Sequence, residues 1–355
     1  MSYCRKCGAK LEEEARFCHV CGTPVTAVTV PAMPRKRRTF LLPVTILIAI
    51  LVTAVVVSAL VFLPFYSVHF NQTNQVANET GVNRLILDFQ ADVARVNVFF
   101  RSLADKMVLL NVTASGWAGM LSDPNRTVAV TFDHITANNT VIVTSKVSRV
   151  GAWSLLYNLN VVCNIYIDPS ATLSVTVRSG VGQIVMNADT NSTFQALNLE
   201  TTTGSVEASV AQGVVIAGNV SAKTTTGSVT FNWYQADAKG NVSVNLKSTT
   251  GPVNLYVSRN GRLSGNVSIY AGTTTGSVNV AMAIHDDVGA KIESHTSVGK
   301  IDVEQQGFSG GQSLLQSSNY PAGSNFLVNL ATTIGGVHIN AYYDSPVVLS
   351  AWQTR

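Results

Sequence analysis

The sequence predicts a mainly β protein: a right-handed parallel β-solenoid preceded by a β-rich region, with one transmembrane helix and a small cysteine-based module at the amino end. Three observations lead to this prediction. A Thr-Gly motif returns at nearly constant spacing through the second half of the chain, residues 40–63 carry no charge, and four of the five cysteines form two CxxC pairs before residue 22.

The four amino-terminal cysteines predict a metal site. Residues 4–8 read CRKCG and residues 18–22 read CHVCG. Each CxxC pair presents two thiolates from one tight turn, and the glycine that follows can adopt the left-handed conformation such a turn requires. Two such turns can close a tetrahedral site around a structural Zn²⁺, whereas a redox dithiol needs a single pair. The predicted metal ligands are Cys4, Cys7, Cys18 and Cys21.

Residues 2–24 resemble the small zinc-ribbon module that begins many prokaryotic membrane and signalling proteins. The resemblance implies a structural zinc and a docking surface for a cytoplasmic protein partner. Nucleic-acid binding is the alternative for such a module. We do not expect it, because Glu12, Glu13 and Glu14 oppose the few basic residues of the ribbon and aromatic side chains for stacking are scarce.

The uncharged stretch at 40–63 predicts a membrane-spanning helix. As a helix it would run about 36 Å, enough for a hydrocarbon core of about 30 Å. The run from Arg35 to Arg38 precedes it and the next charge is Glu79, an asymmetry that places the basic side in the cytoplasm. A buried core helix or a cleaved signal peptide fits the length less well. We therefore expect a single-pass protein of the cell membrane with a cytoplasmic N-terminus and an extracellular C-terminal domain.

These features divide the chain into six predicted segments. Cys163 falls alone beyond the helix and alternates with Ile165 and Ile167, so we expect it in a core. The segments are 1–24, the zinc ribbon; 25–39, a basic linker; 40–63, the transmembrane helix; 64–80, a polar stalk; 81–160, a β-rich region; and 161–355, the solenoid repeats.

Residues 81–160 show short alternating runs of apolar side chains, for example Leu85, Leu87 and Phe89. Alternation of this kind predicts half-buried strands. Residues 91–108 could instead hold a short helix. No repeat is visible in this region.

The repeat beyond residue 160 is the strongest pattern in the sequence. TTTGSV begins at Thr201, Thr224 and Thr273, and related strings surround four further glycines. Two and four residues after each motif glycine from Gly204 onward stand apolar or small side chains, which predicts a strand entering a core on each side of a glycine corner. The motif glycines are Gly182, Gly204, Gly227, Gly251, Gly276, Gly299 and Gly335, and the 36-residue gap before the last indicates an insertion.

Stacked copies of such a unit would share one core and align the threonines into ladders of hydroxyl groups. A β-sandwich of hairpins is the alternative, but sandwiches rarely hold a six-letter string in register over so many turns. The segment 160–345 resembles the putative-adhesin family of bacteria and archaea, whose β-solenoid repeats carry Thr/Ser-Gly-x-Val strings. That resemblance implies a fold, and it brings no ligand or catalytic residue with it.

The region beyond the helix also contains nine N-glycosylation sequons, three of them in Gly-Asn-Val-Ser strings, so we expect a glycoprotein. Asn also caps turns, which is a second reading of the shared position. The sequons begin at Asn71, Asn78, Asn111, Asn125, Asn138, Asn191, Asn219, Asn241 and Asn266.

The predicted function is non-enzymatic: an adhesin-like cell-surface protein that binds envelope or extracellular polysaccharide or protein. The alternative is a transmembrane sensor whose zinc ribbon docks a partner, and a third reading is a carbohydrate-active enzyme. An enzyme needs converging acids. The candidates for that role, interpreted as a solvated turn and an outward strand face, are His285, Asp286, Asp287, Glu293, His295, Asp302 and Glu304.

Overall fold

Strands make up most of the described chain, as the mainly β prediction requires. The structure, a computed structural model, describes residues 2–13, 15–25, 41–62, 64–119, 123, 126–150 and 156–344. Residues 26–39 of the predicted basic linker lie outside the described residues. The chain forms two compact units, residues 1–57 and residues 58–355.

The first unit contains a small two-stranded antiparallel sheet and most of one helix. The strands are β1 (Ser2–Tyr3) and β2 (Lys10–Leu11), in which Ser2 pairs with Leu11. The helix α1 spans Leu41–Phe62 and has apolar residues on all sides.

The membrane prediction is corrected by this helix. Among the residues that the structure describes, no helix is long and apolar enough to span a bilayer. The transmembrane helix predicted over 40–63 is therefore wrong. The single-pass cell-membrane localisation, with cytoplasmic N-terminus and extracellular C-terminal domain, is wrong with it.

The second unit consists of two sheets of many strands. We call the one with 13 strands the large sheet and the one with 11 strands the small sheet. Repeating coils of the chain place one strand in each. The strands of the first half are β3 (Pro64–Ala77), β4 (Arg84–Val93), β5 (Arg95–Phe100), β6 (Lys106–Gly119), β7 (Val128–Ala137), β8 (Thr140–Arg149), β9 (Leu156–Ile167), β10 (Thr172–Val181), β11 (Ile184–Ala188), β12 (Thr193–Thr203) and β13 (Val206–Val210).

The strands of the second half are β14 (Val215–Thr226), β15 (Val229–Tyr234), β16 (Asp237–Ala238), β17 (Gly240–Thr250), β18 (Val253–Arg259), β19 (Gly265–Thr275), β20 (Val278–Ile284), β21 (Val288–Val298), β22 (Ile301–Gln306), β23 (Phe308–Gly311), β24 (Leu314–Ser317), β25 (Ser324–Ile334) and β26 (Val337–Tyr343).

Successive coils pair in parallel and in constant register. In the large sheet Leu199 lies beside Ala222, and in the small sheet Val206 lies beside Val229. The side chains two and four residues after the motif glycines are buried in every coil from Gly204 to Gly276 and again after Gly335, as their alternation predicts. This stacking is that of a parallel β-solenoid and excludes a sandwich of hairpins; its right-handedness stays a prediction.

The coils do not stack in sequence order at the carboxyl end. The coil β21–β22 is the outermost, and β25–β26 lies between it and β19–β20. The 36-residue gap before Gly335 therefore marks a chain that skips one coil position, folds the antiparallel hairpin β23–β24 against β21, and returns to fill the empty position.

The amino end shows a similar exchange. Strands β8 and β9 lie beyond β4 and β5, and the chain then returns to set β10 and β11 on the other side of β4 and β5. The region 81–160, where no repeat is visible in the sequence, thus supplies coils of the solenoid. Residues 91–108 form strands in place of the alternative short helix, and β3 occupies most of the predicted stalk, paired antiparallel with β6.

Candidate metal centre and solenoid surface

The zinc ribbon is built from two nearly identical turns. In the first, Gly8 donates its N–H to the carbonyl of Cys4 at 2.9 Å; in the second, Gly22 donates to Cys18 at 2.8 Å. The two glycines have φ of 71° and 70° with open space around them, so the backbone angle and not crowding requires glycine. Each turn therefore directs its two thiols to the same side.

The turns bring all four predicted ligands together. The four sulfur atoms lie within 4.8 Å of one another, with Cys4 Sγ 3.5 Å from Cys21 Sγ and Cys7 Sγ 3.4 Å from Cys18 Sγ. Zn–S bonds of about 2.3 Å in a tetrahedron place sulfurs about 3.8 Å apart, so the cluster fits Zn²⁺. In the described part of the chain, no other group of three or more His, Cys, Asp or Glu side chains gathers in this way.

Hydrogen bonds favour thiolate at two of these positions. The Thr23 hydroxyl, 3.1 Å from Cys21 Sγ, and the Thr23 N–H lower the pKa of Cys21 to about 6. The N–H groups of Cys21 and Val20 lower the pKa of Cys18. At Cys7 the Ala9 N–H favours thiolate, but the adjacent Cys21 and Cys18 sulfurs outweigh it and raise the pKa to about 12. Four thiolates crowd one another, and a cation among them would offset that repulsion.

The solenoid carries a column of motif glycines along one corner. Each has φ between 132° and 154°, and a Cβ added to Gly227 would lie 2.0 Å from the carbonyl oxygen of Gly204 in the preceding coil. The same overlap recurs along the column, which begins on the Ala94 carbonyl. In spatial order the column is Ala94, Gly182, Gly204, Gly227, Gly251, Gly276, Gly335 and Gly299.

A second column runs beside the glycines and was only partly foreseen. The hydroxyl three residues before each glycine donates to the carbonyl of the corner residue in the adjacent coil, as Thr224 Oγ1 does to Gly204 at 2.9 Å. The predicted ladder is therefore one of hydroxyls bonded to backbone carbonyls. Its members are Ser179, Thr201, Thr224, Ser248, Thr273, Thr332 and Thr296. Each of these residues is the first of the four residues that end at a motif glycine, and this constant position is the sequence feature that could have indicated the column.

The candidate acids do not converge. Glu293 and His295 lie exposed on β21 in the large sheet, whereas Asp302 and Glu304 lie exposed on β22 in the small sheet. Asp302 pairs with His338 at 3.3 Å, a residue of the neighbouring strand β26.

The turn before β21 holds the remaining candidates. His285 Nδ1 lies 3.5 Å from Asp344, whose carboxylate also accepts the N–H of Asp286 at 3.2 Å. These are contacts that close a turn.

Cys163 is fully buried, as its alternation with Ile165 and Ile167 predicts, and burial raises its pKa to about 12.

Comparison with known proteins supports the zinc-ribbon resemblance drawn from the sequence. Residues 3–25 match the family described as a zinc-ribbon domain, a span that contains all four clustered cysteines and supports a structural zinc. The comparison with curated proteins found no match.

Among solved structures, three with a distant likeness to this chain are described as adhesion proteins. A putative cell adhesion protein from Clostridium sporogenes ATCC 15579 is 15% identical, with a TM-score of 0.38 over 77% of this chain and 99% of that chain. A putative adhesin from Bacteroides fragilis NCTC 9343 is 11% identical, with a TM-score of 0.27 over 76% and 96%. A putative adhesin from Parabacteroides merdae ATCC 43184 is 10% identical, with a TM-score of 0.22 over 78% and 97%.

Proposed function

We propose that this chain is a non-enzymatic, adhesin-like binding protein whose solenoid recognises an extended extracellular or envelope-derived polysaccharide or protein. The observation that carries the proposal is the repetition of one exposed pattern from coil to coil. Just before each corner glycine from Gly204 onward two side chains are exposed, and in four successive coils both are threonine. These threonines are Thr202, Thr203, Thr225, Thr226, Thr249, Thr250, Thr274 and Thr275.

A repeated surface of this kind suits a repeated ligand. Neighbouring strands of a sheet lie about 4.8 Å apart, so each coil offers similar groups at a fixed step. Each contact is weak, but several contacts to one chain molecule add up. A small substrate gains nothing from the repetition, which is why we propose a polymer or a protein surface as partner.

The placement of the acids supports binding without chemistry. Most glycoside hydrolases use two carboxyl groups that flank the same bond, at most about 9.5 Å apart. The candidate carboxylates instead divide between the outer faces of two sheets and a turn. Their described contacts are with neighbouring residues of the fold, such as His338 for Asp302.

For the amino-terminal unit we propose that Cys4, Cys7, Cys18 and Cys21 are the ligands of a structural Zn²⁺. A site closed by four thiolates leaves no open position for water or substrate, so the metal would hold the two turns together. The apolar core of the ribbon is formed by Cys4, Leu11 and Cys18, with Ala9 packed against them. A core of this size is too small to fix the fold of a 20-residue module without a cross-link.

The purified full-length protein, applied to a glycan array and to whole cells, tests the binding function. We expect retention on at least one polymer or cell envelope, with no new reducing ends or shortened chains after prolonged incubation. Asp286→Asn and Asp287→Asn variants should bind and behave as the wild type does. Release of product from a glycan that stops in either variant would show that the protein is an enzyme.

A docking role for the zinc ribbon is a second candidate, favoured by one observation. Tyr3, Phe17 and Val20 are 58%, 63% and 64% exposed on the ribbon surface. Exposed aromatic and aliphatic side chains at this density are typical of protein-binding modules. A Cys4→Ser variant decides between the roles: unchanged polymer binding with loss of a cellular response would favour a sensor whose ribbon docks a protein partner.

A further inference from the structure

Tyr270 differs from every other outward residue at its position in the repeat. It lies on the outer face of β19, in register with Asn245 of β17 and Asn329 of β25. A Cβ added to Gly272, two residues further along the same face, would lie 2.6 Å from the hydroxyl oxygen of Tyr270 and 2.8 Å from two atoms of its ring. The ring therefore lies flat across the glycine, whereas side chains on strands generally stand away from the sheet.

Small neighbours keep this ring accessible. The register position of Gly272 is occupied by Lys223 and Lys247 in the two coils before it and by Ala331 in the coil after it. The side chains beneath and beyond the ring are thus a hydrogen atom and a methyl group. Tyr270 packs against Gly272 and remains 38% exposed, so part of its side chain is accessible to solvent. We call the surface of Tyr270, Gly272 and Ala331 the tyrosine shelf.

The ammonium group of Lys247 lies over the Tyr270 ring. The Lys247 ammonium lies 5.1 Å from the centroid of the Tyr270 ring, within range of a cation–π interaction. Lys247 is exposed, and among the described residues no carboxylate oxygen approaches its ammonium within 4 Å. Its charge is available to an anion, and Lys223 extends the positive charge by one coil.

Amide groups complete the surface. Asn329 is exposed and Asn245 half-buried, one on each side of Tyr270. The shelf thus offers an aromatic ring, an ammonium group without a carboxylate partner among the described residues, and two amide side chains, each on a strand next to that of the ring. A pyranose ring with a carboxylate matches all three, because its C–H face can stack on the ring, its carboxylate can pair with Lys247, and its hydroxyls can bond to amides.

We propose that the tyrosine shelf binds an acidic sugar unit, of the uronic acid type, within a polysaccharide. The proposal rests on the proposed binding function and names its ligand class and its place on the molecule. A single-stranded nucleic acid could also stack on an aromatic ring and pair with lysine. It requires successive aromatic rings along a basic groove, however, and here one tyrosine stands in a column that also contains Glu293 two coils away.

The test compares binding of the full-length protein to polygalacturonate, to neutral dextran and to a single-stranded DNA oligonucleotide. We expect polygalacturonate to bind most tightly. Tyr270→Ala should weaken that binding about tenfold, the size of a lost stacking contact. Lys247→Gln should weaken polygalacturonate binding several-fold without altering dextran binding, and Tyr270→Phe should retain the affinity. Tyr256→Ala, a half-buried tyrosine on the outer face of the small sheet, is the matched control and should bind normally.

Because Tyr270 covers Gly272, thermal melting of each variant must accompany the binding data; Lys247→Gln leaves that packing intact and tests the shelf independently. The shelf proposal is wrong if Tyr270→Ala and Lys247→Gln both bind polygalacturonate as tightly as the wild type does. It is also wrong if the wild type does not bind polygalacturonate, or binds dextran or DNA more tightly. If the wild type binds another polymer and Tyr270→Ala binds it equally well, the shelf fails while the proposed binding function stands. If no polymer, protein or cell binds, both fail.

Discussion

The core of the zinc ribbon consists of Cys4, Leu11 and Cys18, whereas one continuous core cluster of the solenoid extends from Val76 to Ala341. The ribbon depends on one point where four side chains meet. The solenoid depends on many similar contacts, each made with the next coil. The two regions should therefore be destabilised by different changes. The ribbon should unfold when any one of its four cysteines is lost, whereas the solenoid should be destabilised by changes that prevent two coils from approaching each other.

Removal of the metal should have the largest effect, and it should be confined to the ribbon. Structural zinc in comparable modules contributes about 10–16 kcal/mol, more than the whole stability of a small domain. We expect Cys18→Ser, or a strong chelator, to unfold residues 3–25 in the full-length protein. NMR amide signals measure this: those of the ribbon should collapse to unfolded positions.

The control is the solenoid in the same sample, whose melting temperature should not change because no metal-binding group of the kind in the ribbon is found in its described residues. A ribbon that keeps its dispersed signals in chelator, or that copurifies with iron, would contradict structural zinc.

Loss of an internal coil should be the next largest effect, and it depends on which coil is lost. Deleting residues 205–227 joins Gly204 to Ser228 and leaves a solenoid in register with one coil fewer. Deleting residues 324–344, a segment of similar length, removes β25–β26 and strips β21–β22 of its parallel partners. We expect the first variant to melt cooperatively a few degrees lower and the second to lose the structure of residues 288–317 altogether.

Hydrogen exchange of the two deletion variants measures this difference. Similar protection of β21 in both would contradict the exchanged order of the coils. The comparison also shows that shortening the chain from its carboxyl end does not remove coils from the end of the solenoid.

The solenoid could be predicted from the sequence because the residues that define each coil lie close together in the chain. A glycine at the corner and apolar side chains at fixed distances after it are enough to predict a coil. Val206 and Ala208, which are buried after Gly204, are an example. The four cysteines could likewise be placed from the sequence, because a CxxCG string favours one tight turn of the backbone that brings its two thiols together.

The order of the coils left no such local signal. Gly299 and Gly335 lie in strings of the same kind as the other motif glycines, and nothing adjacent to them indicates which coil lies outermost. The first coil was missed because Ala94 stands where later coils have glycine; its carbonyl is what Gly182 packs against. The tyrosine shelf depends on a neighbour from another coil and on the absence of a side chain, neither of which periodicity reveals.

A single corner glycine tests the close approach of coils. In Gly227→Ala the new Cβ would overlap the Gly204 carbonyl, at 2.0 Å, in a backbone conformation with φ of 140° that side chains rarely adopt. We expect the free energy of unfolding to fall by more than about 3 kcal/mol, because both strain and separation of coils contribute. Gly240→Ala is the matched control: φ is 76° but no atom lies within 4 Å of the added Cβ. Its cost should be about 1 kcal/mol, and equal costs would show that crowding plays no part.

The hydroxyl column offers the smallest and most local effect. Thr224 is buried and its hydroxyl donates to the Gly204 carbonyl at 2.9 Å, whereas the adjacent Thr225 is exposed. Thr224→Ala should lower the free energy of unfolding by about 1–2 kcal/mol, since a buried carbonyl loses a partner. Thr225→Ala should change it by less than about 0.5 kcal/mol. Denaturant titration of the two variants measures the difference, and the comparison isolates the hydroxyl because both changes remove the same atoms from neighbouring positions of one strand. A larger loss at Thr225 would mean that the exposed threonines, and not the buried column, hold the coils together, and would reverse the roles assigned here to stability and to binding.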